Sequence, residues 1–135
     1  MGLFDIFKRK SEESKFVNEN SFSNNLVNQV KMAPQTIAQL RGLGVDENKK
    51  LKLEYFFYTN TQAKAESLTN ELVKLGYTAL NDNSAGDKNL FVITGWTSQI
   101  VMSEDVVKNW IKQMCELSYK FDSEFDGWGT TPNQE

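Results

Sequence analysis

The clearest alternation in the chain runs from Leu51 to Thr59. Leu51, Leu53, Tyr55 and Phe57 share one face of an extended segment; Lys52, Glu54, Phe56 and Tyr58 share the other. This is the strongest strand signal in the sequence. Its second face starts polar and ends in two aromatics, which implies that one end of that face is covered or binds something. The period then becomes helical. Ala65, Leu68, Leu72 and Leu75 recur at helix spacing, Thr59 or Asn60 can cap the start, and Gly76 ends the run as a glycine just past a helix does. Tyr77 to Leu80 reads as a short strand and Asn81 to Asp87 as a turn. In the strand-like stretch Asn89 to Trp96, Leu90, Phe91, Val92 and Ile93 are apolar in succession, the pattern of a strand buried on both faces. Ser103 followed by Glu104 and Asp105 opens a second helix, since carboxylates suit the positive helix end. Val107, Trp110, Ile111, Met114 and Leu117 form its buried stripe, and it gives out near Tyr119 and Lys120.

The last strand-like run is Phe121 to Thr130. At a period of two, Phe121, Ser123 and Phe125 point one way, and Asp122, Glu124 and Asp126 the other, with Trp128 continuing the acidic side. Carboxylates are poor strand formers, and three on one face repel one another. Two readings are open: acidic residues that discourage edge-to-edge aggregation, or a binding surface. Gly127 and Gly129 mark where regular pairing ends.

The element order is strand, helix, strand, strand, helix, strand. Right-handed crossovers place both helices on one face of an antiparallel sheet of order 4-1-3-2, a ferredoxin-like α+β sandwich. The acidic strand then lies beside the first, so Phe56 and Tyr58 are expected next to Asp122, Glu124 and Asp126 on the face without helices. Ahead of the sandwich, Leu26, Val27 and Val30 suggest a short helix. Pro34 suits the first position of another, with Ile37 and Leu40 on one face and Gly42 and Gly44 at its end. Residues 1–25 are expected to be a flexible leader and linker, 26–130 the folded domain with 26–48 its helical extension, and 131–135 a loose tail. In the leader, Leu3, Phe4, Ile6 and Phe7 are apolar, but the myristoylation pattern fails at Ile6.

Composition removes most chemistries. With 135 residues the chain is long enough for one domain with a modest core. One cysteine and no histidine exclude a disulfide framework and leave no Cys/His zinc site or nucleophile pair. Cys115 falls in a helical pattern and reads as a small buried hydrophobe. There is no phosphate loop or dinucleotide fingerprint, and no apolar run approaches the roughly 20 residues of a membrane span. No catalytic residue, metal or cofactor is assigned. The net charge of −3 hides an asymmetry: residues 1–52 carry nine basic and six acidic side chains, and 53–135 carry six and twelve. The folded part is therefore acidic, so it repels phosphate backbones and attracts basic partners. Base stacking on Phe56 and Tyr58 is conceivable on such a sheet, but the acidic neighbour argues against direct nucleic-acid binding.

The run Tyr119 to Thr130, Tyr-Lys-Phe-Asp-Ser-Glu-Phe-Asp-Gly-Trp-Gly-Thr, resembles the terminal signature of the regulator of ribonuclease E activity B (RraB) family. Leu75-Gly76-Tyr77 after a helix and Leu43-Gly44-Val45-Asp46 before the first strand sit in the matching order, and the resemblance covers about Ile37 to Thr130. It implies a cytoplasmic bacterial protein that binds ribonuclease E and inhibits it without catalysis of its own. Two features depart from the pattern: the chain stops soon after Thr130, where some members carry a long acidic tail, and the lysine-bearing leader is not part of it. The expected partner is a protein, met through a basic segment, and the expected partner-binding residues are Phe56, Tyr58, Asp122, Glu124, Asp126 and Trp128. The alternative is a small-ligand-binding or immunity-type module sharing only the scaffold.

Overall fold

The computed structural model describes residues 15–134. Along the chain run α1 (Glu19–Gly42), β1 (Lys50–Thr59), α2 (Gln62–Lys74), β2 (Leu80–Ser84), β3 (Asp87–Val101), α3 (Glu104–Lys120) and β4 (Glu124–Gly129). The sheet order is β2-β3-β1-β4, and every neighbouring pair is antiparallel. This is the expected 4-1-3-2 arrangement of an α+β fold with ferredoxin-like element order.

The core follows from the alternation of β1. Leu51, Leu53, Tyr55 and Phe57 are fully buried, and Ala65, Leu68 and Leu72 of α2 and Val107, Ile111 and Met114 of α3 close over them. Trp110 joins them with 4% of its surface exposed. Its ring meets Phe125 and Trp128 edge-on, at centroid distances of 5.9 and 6.2 Å, a favoured aromatic geometry. The Ser103 side chain accepts from the Val106 amide and starts α3 as expected; Thr61 caps α2 in the same way, one or two positions later than expected.

The N-terminal part differs from expectation. Instead of two short helices divided at Pro34, a single helix of 24 residues runs from Glu19 to Gly42 with Pro34 inside it. It begins within the stretch expected as leader and linker; residues 1–14 lie outside the described residues. The reason is an unbroken inward stripe. Phe22, Leu26 and Val30 pack against the core, and Ala33, Ile37 and Leu40 are buried. Pro34 lies on the exposed side. A proline inside a helix costs about 3 kcal/mol, an amount that burying several apolar side chains on both sides of it offsets.

Two further expectations shift. Strand β2 covers Leu80–Ser84, residues expected mostly as a turn, while Tyr77 and Ala79 pack on the core outside the ladder. The polar β2 residues find partners: the Asn81 amide donates to the Thr69 hydroxyl and accepts from Gln62. The tail is also tied down. The Gln134 side chain accepts from the Lys52 amide at 2.7 Å and donates to the Lys52 carbonyl at 2.8 Å, so a side-chain amide extends the pairing of β1 beyond β4.

Residues 76–79 approach β3 closely at Gly95. The Tyr55 hydroxyl donates to the Thr78 carbonyl, and Thr78 and Trp96 exchange two further hydrogen bonds. A Cβ at position 95 would fall 1.8 Å from the Thr78 carbonyl oxygen, whereas one at Gly86 meets nothing within 4 Å. Gly95→Ala is therefore expected to destabilise the protein by about 1–3 kcal/mol through overpacking, and Gly86→Ala to be nearly silent. Urea unfolding of the two variants checks this, and equal midpoints would contradict the close approach.

Candidate functional site

Among the described residues no helix covers the outer face of the sheet. Because β1 alternates, the side chains that leave the core are Lys50, Lys52, Glu54, Phe56 and Tyr58. Cross-strand partners project to the same side, so the register identifies their neighbours. On β3, Trp96 lies opposite Glu54, Thr94 opposite Phe56 and Val92 opposite Tyr58. On β2, Leu80 lies opposite Thr94 and Asp82 opposite Val92. On β4, Glu124 lies opposite Tyr58 and Gly127 opposite Phe56. Phe56, Tyr58, Val92 and Trp96 are half-buried, and Leu80 is 73% exposed. The centre of the face is thus aromatic and apolar, and Glu54, Asp82, Glu124 and Asp126 surround it. The lysines 50 and 52 stand at the far end of β1.

Strand β4 is not regular. Between the pairs Phe57↔Phe125 and Phe56↔Gly127 one residue, Asp126, has no partner. This is a β-bulge. Gly127 has φ 146°, a conformation that side-chain-bearing residues rarely adopt. The extra residue leaves Glu124 and Asp126 together on the outer face and reverses the side from Gly127 onward. Trp128 pairs with Tyr55 and packs on the core. The expectation that Trp128 continues the acidic side is therefore corrected.

Asp122 is also not where the simple alternation puts it. It precedes β4 in a left-handed turn, φ 52°. Its Oδ1 accepts from the Val17 amide at 2.8 Å, and its Oδ2 accepts from the Phe16 amide at 2.8 Å and the Lys64 ammonium at 2.6 Å. Burial alone would raise its pKa. The Lys64 ammonium and the two amides outweigh burial and hold the carboxyl below its ordinary range. Asp122 fastens the chain before α1 to α2 and the β4 turn, and it does not belong to the open face.

Of the six residues expected to bind, the structure therefore brings Phe56, Tyr58, Glu124 and Asp126 together and separates Asp122 and Trp128. The Glu124 carboxyl titrates above its ordinary range, through partial burial and then through Asp126 two residues away. Sequence reading missed Trp96, Val92 and Leu80. The two-residue spacing of Val92, Thr94 and Trp96 held the signal, obscured by the continuous apolar run before it. The bland alternative for the carboxylates, edge protection, also loses ground. Helix α1 lies against β4, and Asn25 and Gln29 donate to the Phe125 carbonyl at 2.8 and 3.4 Å.

Little here suits catalysis. A groove of about 410 Å³ beside α3 is lined by Tyr77, Gln99, Asn109, Trp110 and Gln113 among others, and Tyr77 is its only titratable side chain. The Cys115 thiol is buried and pushed up to about 12, the state of an inert cysteine. Among the described residues no cluster of three or more His, Cys, Asp or Glu could hold a metal, and no helix is long and apolar enough to cross a membrane.

Fold and face together define a class: an α+β sandwich presenting an open, acid-rimmed aromatic sheet surface. The chain belongs to the family described as "Regulator of ribonuclease activity B", whose profile matches residues 31–130. It is 28% identical over 104 residues to the Regulator of ribonuclease activity B of Escherichia coli (strain K12), covering 73% of this chain and 75% of that protein. The protein of the same name from Shigella flexneri matches to the same extent.

The Asp122 geometry fixes a pH dependence. A carboxyl with a lowered folded pKa contributes stability that is fully present above its unfolded value, about 4, and is lost as pH falls through the folded value. Asp122→Asn keeps a residue tolerant of the left-handed turn but removes the charge. It is expected to lower stability at pH 7 by on the order of 1–2 kcal/mol, with the difference from wild type shrinking below pH 4. Thermal melts from pH 3 to 7 measure it; a gap that does not change with pH would exclude the charged fastening.

Proposed function

We propose that this chain is a non-catalytic regulator that binds a ribonuclease through the outer face of its sheet, with ribonuclease E as the target and the cytoplasm as its location. Family membership supports regulation of a ribonuclease. The observation that carries the assignment of the surface is the open group of Phe56, Tyr58 and Trp96 ringed by Glu54, Asp82, Glu124 and Asp126. Aromatic side chains are common anchors at interfaces, and surrounding charges steer the encounter. The charge sign favours a basic partner segment and disfavours a phosphate backbone on the same aromatics. Inhibition then follows from occupancy: a basic segment held on this face is withheld from RNA.

Glu124 and Asp126 are exposed and outside the core. Glu124→Lys combined with Asp126→Lys is therefore expected to leave the fold intact and lower the association rate with purified ribonuclease E by about tenfold at low salt. The difference should narrow as salt screens it. Surface-plasmon kinetics at two ionic strengths, with circular dichroism as the folding control, measure this. A folded double variant that binds and inhibits as wild type does would move the partner site to the helices.

A further inference from the structure

Resting on the proposed basic partner, the geometry of the same face says which basic side chain it takes. We infer that it selects arginine over lysine, and that Trp96, the larger ring of two aromatic–carboxylate couples, makes most of the selection. Two aromatic–carboxylate couples are built into the register. Trp96 lies directly opposite Glu54, and Tyr58 directly opposite Glu124. Residues opposite one another in an antiparallel ladder have Cβ atoms about 5 Å apart. A guanidinium can lie flat on a ring while its N–H fork reaches the carboxylate beside it. An ammonium is compact and strongly hydrated and has no plane to stack. Among the described residues Glu54, Glu124 and Asp126 take part in no ion pair, so their oxygens remain available.

The spacing is also set. Glu54 and Tyr58 are four residues apart on β1, about 13 Å at the rise of a strand. An extended peptide running along β1 meets both couples with arginines four positions apart. Between the couples lies Thr94, opposite Phe56 on one side and Leu80 on the other. Its hydroxyl is buried and has no hydrogen-bond partner.

The test uses the full chain and two Ser/Gly peptides of equal length and charge, one with two arginines four positions apart and the other with lysines there. Their binding is followed by NMR titration at low salt, reading the indole N–H resonances. The arginine peptide is expected to bind about fivefold more tightly, and Trp96→Leu to reduce that preference to the share the Tyr58–Glu124 couple supplies, without abolishing the binding of either peptide. The wild-type comparison stands even if the variant fails to fold. Equal affinity for the two peptides would overturn arginine selection while leaving the basic-partner reading in place. Binding of neither would overturn that reading as well. A single-stranded uridine oligomer that shifts the same resonances, where the peptides do not, would assign the face to nucleic acid. A folded Trp96→Leu protein with its preference intact would remove Trp96 from the role.

Discussion

One unpaired residue in β4 decides what each side of the sheet carries. Had the strand kept its period of two, Asp122, Glu124, Asp126 and Trp128 would share a face. Either the carboxylates would enter the core with Trp128, at heavy desolvation cost, or the indole would leave the core with the carboxylates. The bulge at Asp126 and Gly127 avoids both outcomes. It sends Trp128 inward against Trp110, which itself packs on Phe125, and leaves the two carboxylates outside. A glycine is needed there because of the backbone conformation rather than for space: nothing lies within 4 Å of the Cβ it lacks. The core aromatics and the acidic rim are consequences of the same local irregularity.

The position of β1 turns that irregularity into a surface. A central strand is hydrogen-bonded on both sides, so both of its faces lie inside a sheet. The inner face holds Leu51, Leu53, Tyr55 and Phe57 under two helices. The outer face holds Phe56 and Tyr58, with Val92, Trp96 and Leu80 beside them and no helix over them among the described residues. An uncovered apolar patch invites unspecific association. Four carboxylates stand around it and keep its rim hydrated, and on the proposed reading the same side chains favour basic partners.

How much of this was legible in the sequence depended on whether local pattern or tertiary contact decided the outcome. The alternation of β1, the stripe of α3 and the strand order could be read directly, because burial there follows the intrinsic period. The break expected at Pro34 is absent because a stripe from Phe22 to Leu40 outweighs one missing amide. The signal was thin, since Asn25 and Gln29 occupy inward positions to meet the Phe125 carbonyl. Strand β2 was hidden for a similar reason: an Asn-rich stretch reads as a turn until Thr69 and Gln62 are seen to satisfy Asn81. The bulge was invisible to a two-residue period, so Trp128 was placed on the wrong side of the sheet. Trp96 was legible in spacing but was masked by the apolar residues before it.

The acidic run also shows why a count of like charges does not define a binding surface. Asp122, Glu124 and Asp126 are spaced evenly and are chemically alike, yet they are not equivalent. Both oxygens of Asp122 are engaged, one by Val17 and the other by Phe16 and Lys64. A carboxylate in that state has little left to offer a guanidinium, and drawing it toward a partner would release the start of α1. Glu124 lies on the surface, and partial burial of its carboxyl, then the nearby Asp126, raise its pKa. Two carboxylates that repel one another in the free protein gain from an incoming cation, because neutralising them relieves that repulsion as well as forming new contacts. The left-handed turn at Asp122 and the bulge at Gly127 bracket these two residues, holding the structural carboxylate on one side of them and the structural indole on the other. Between those two irregular points, Glu124 and Asp126 keep their carboxylates turned outward, where a partner can reach them.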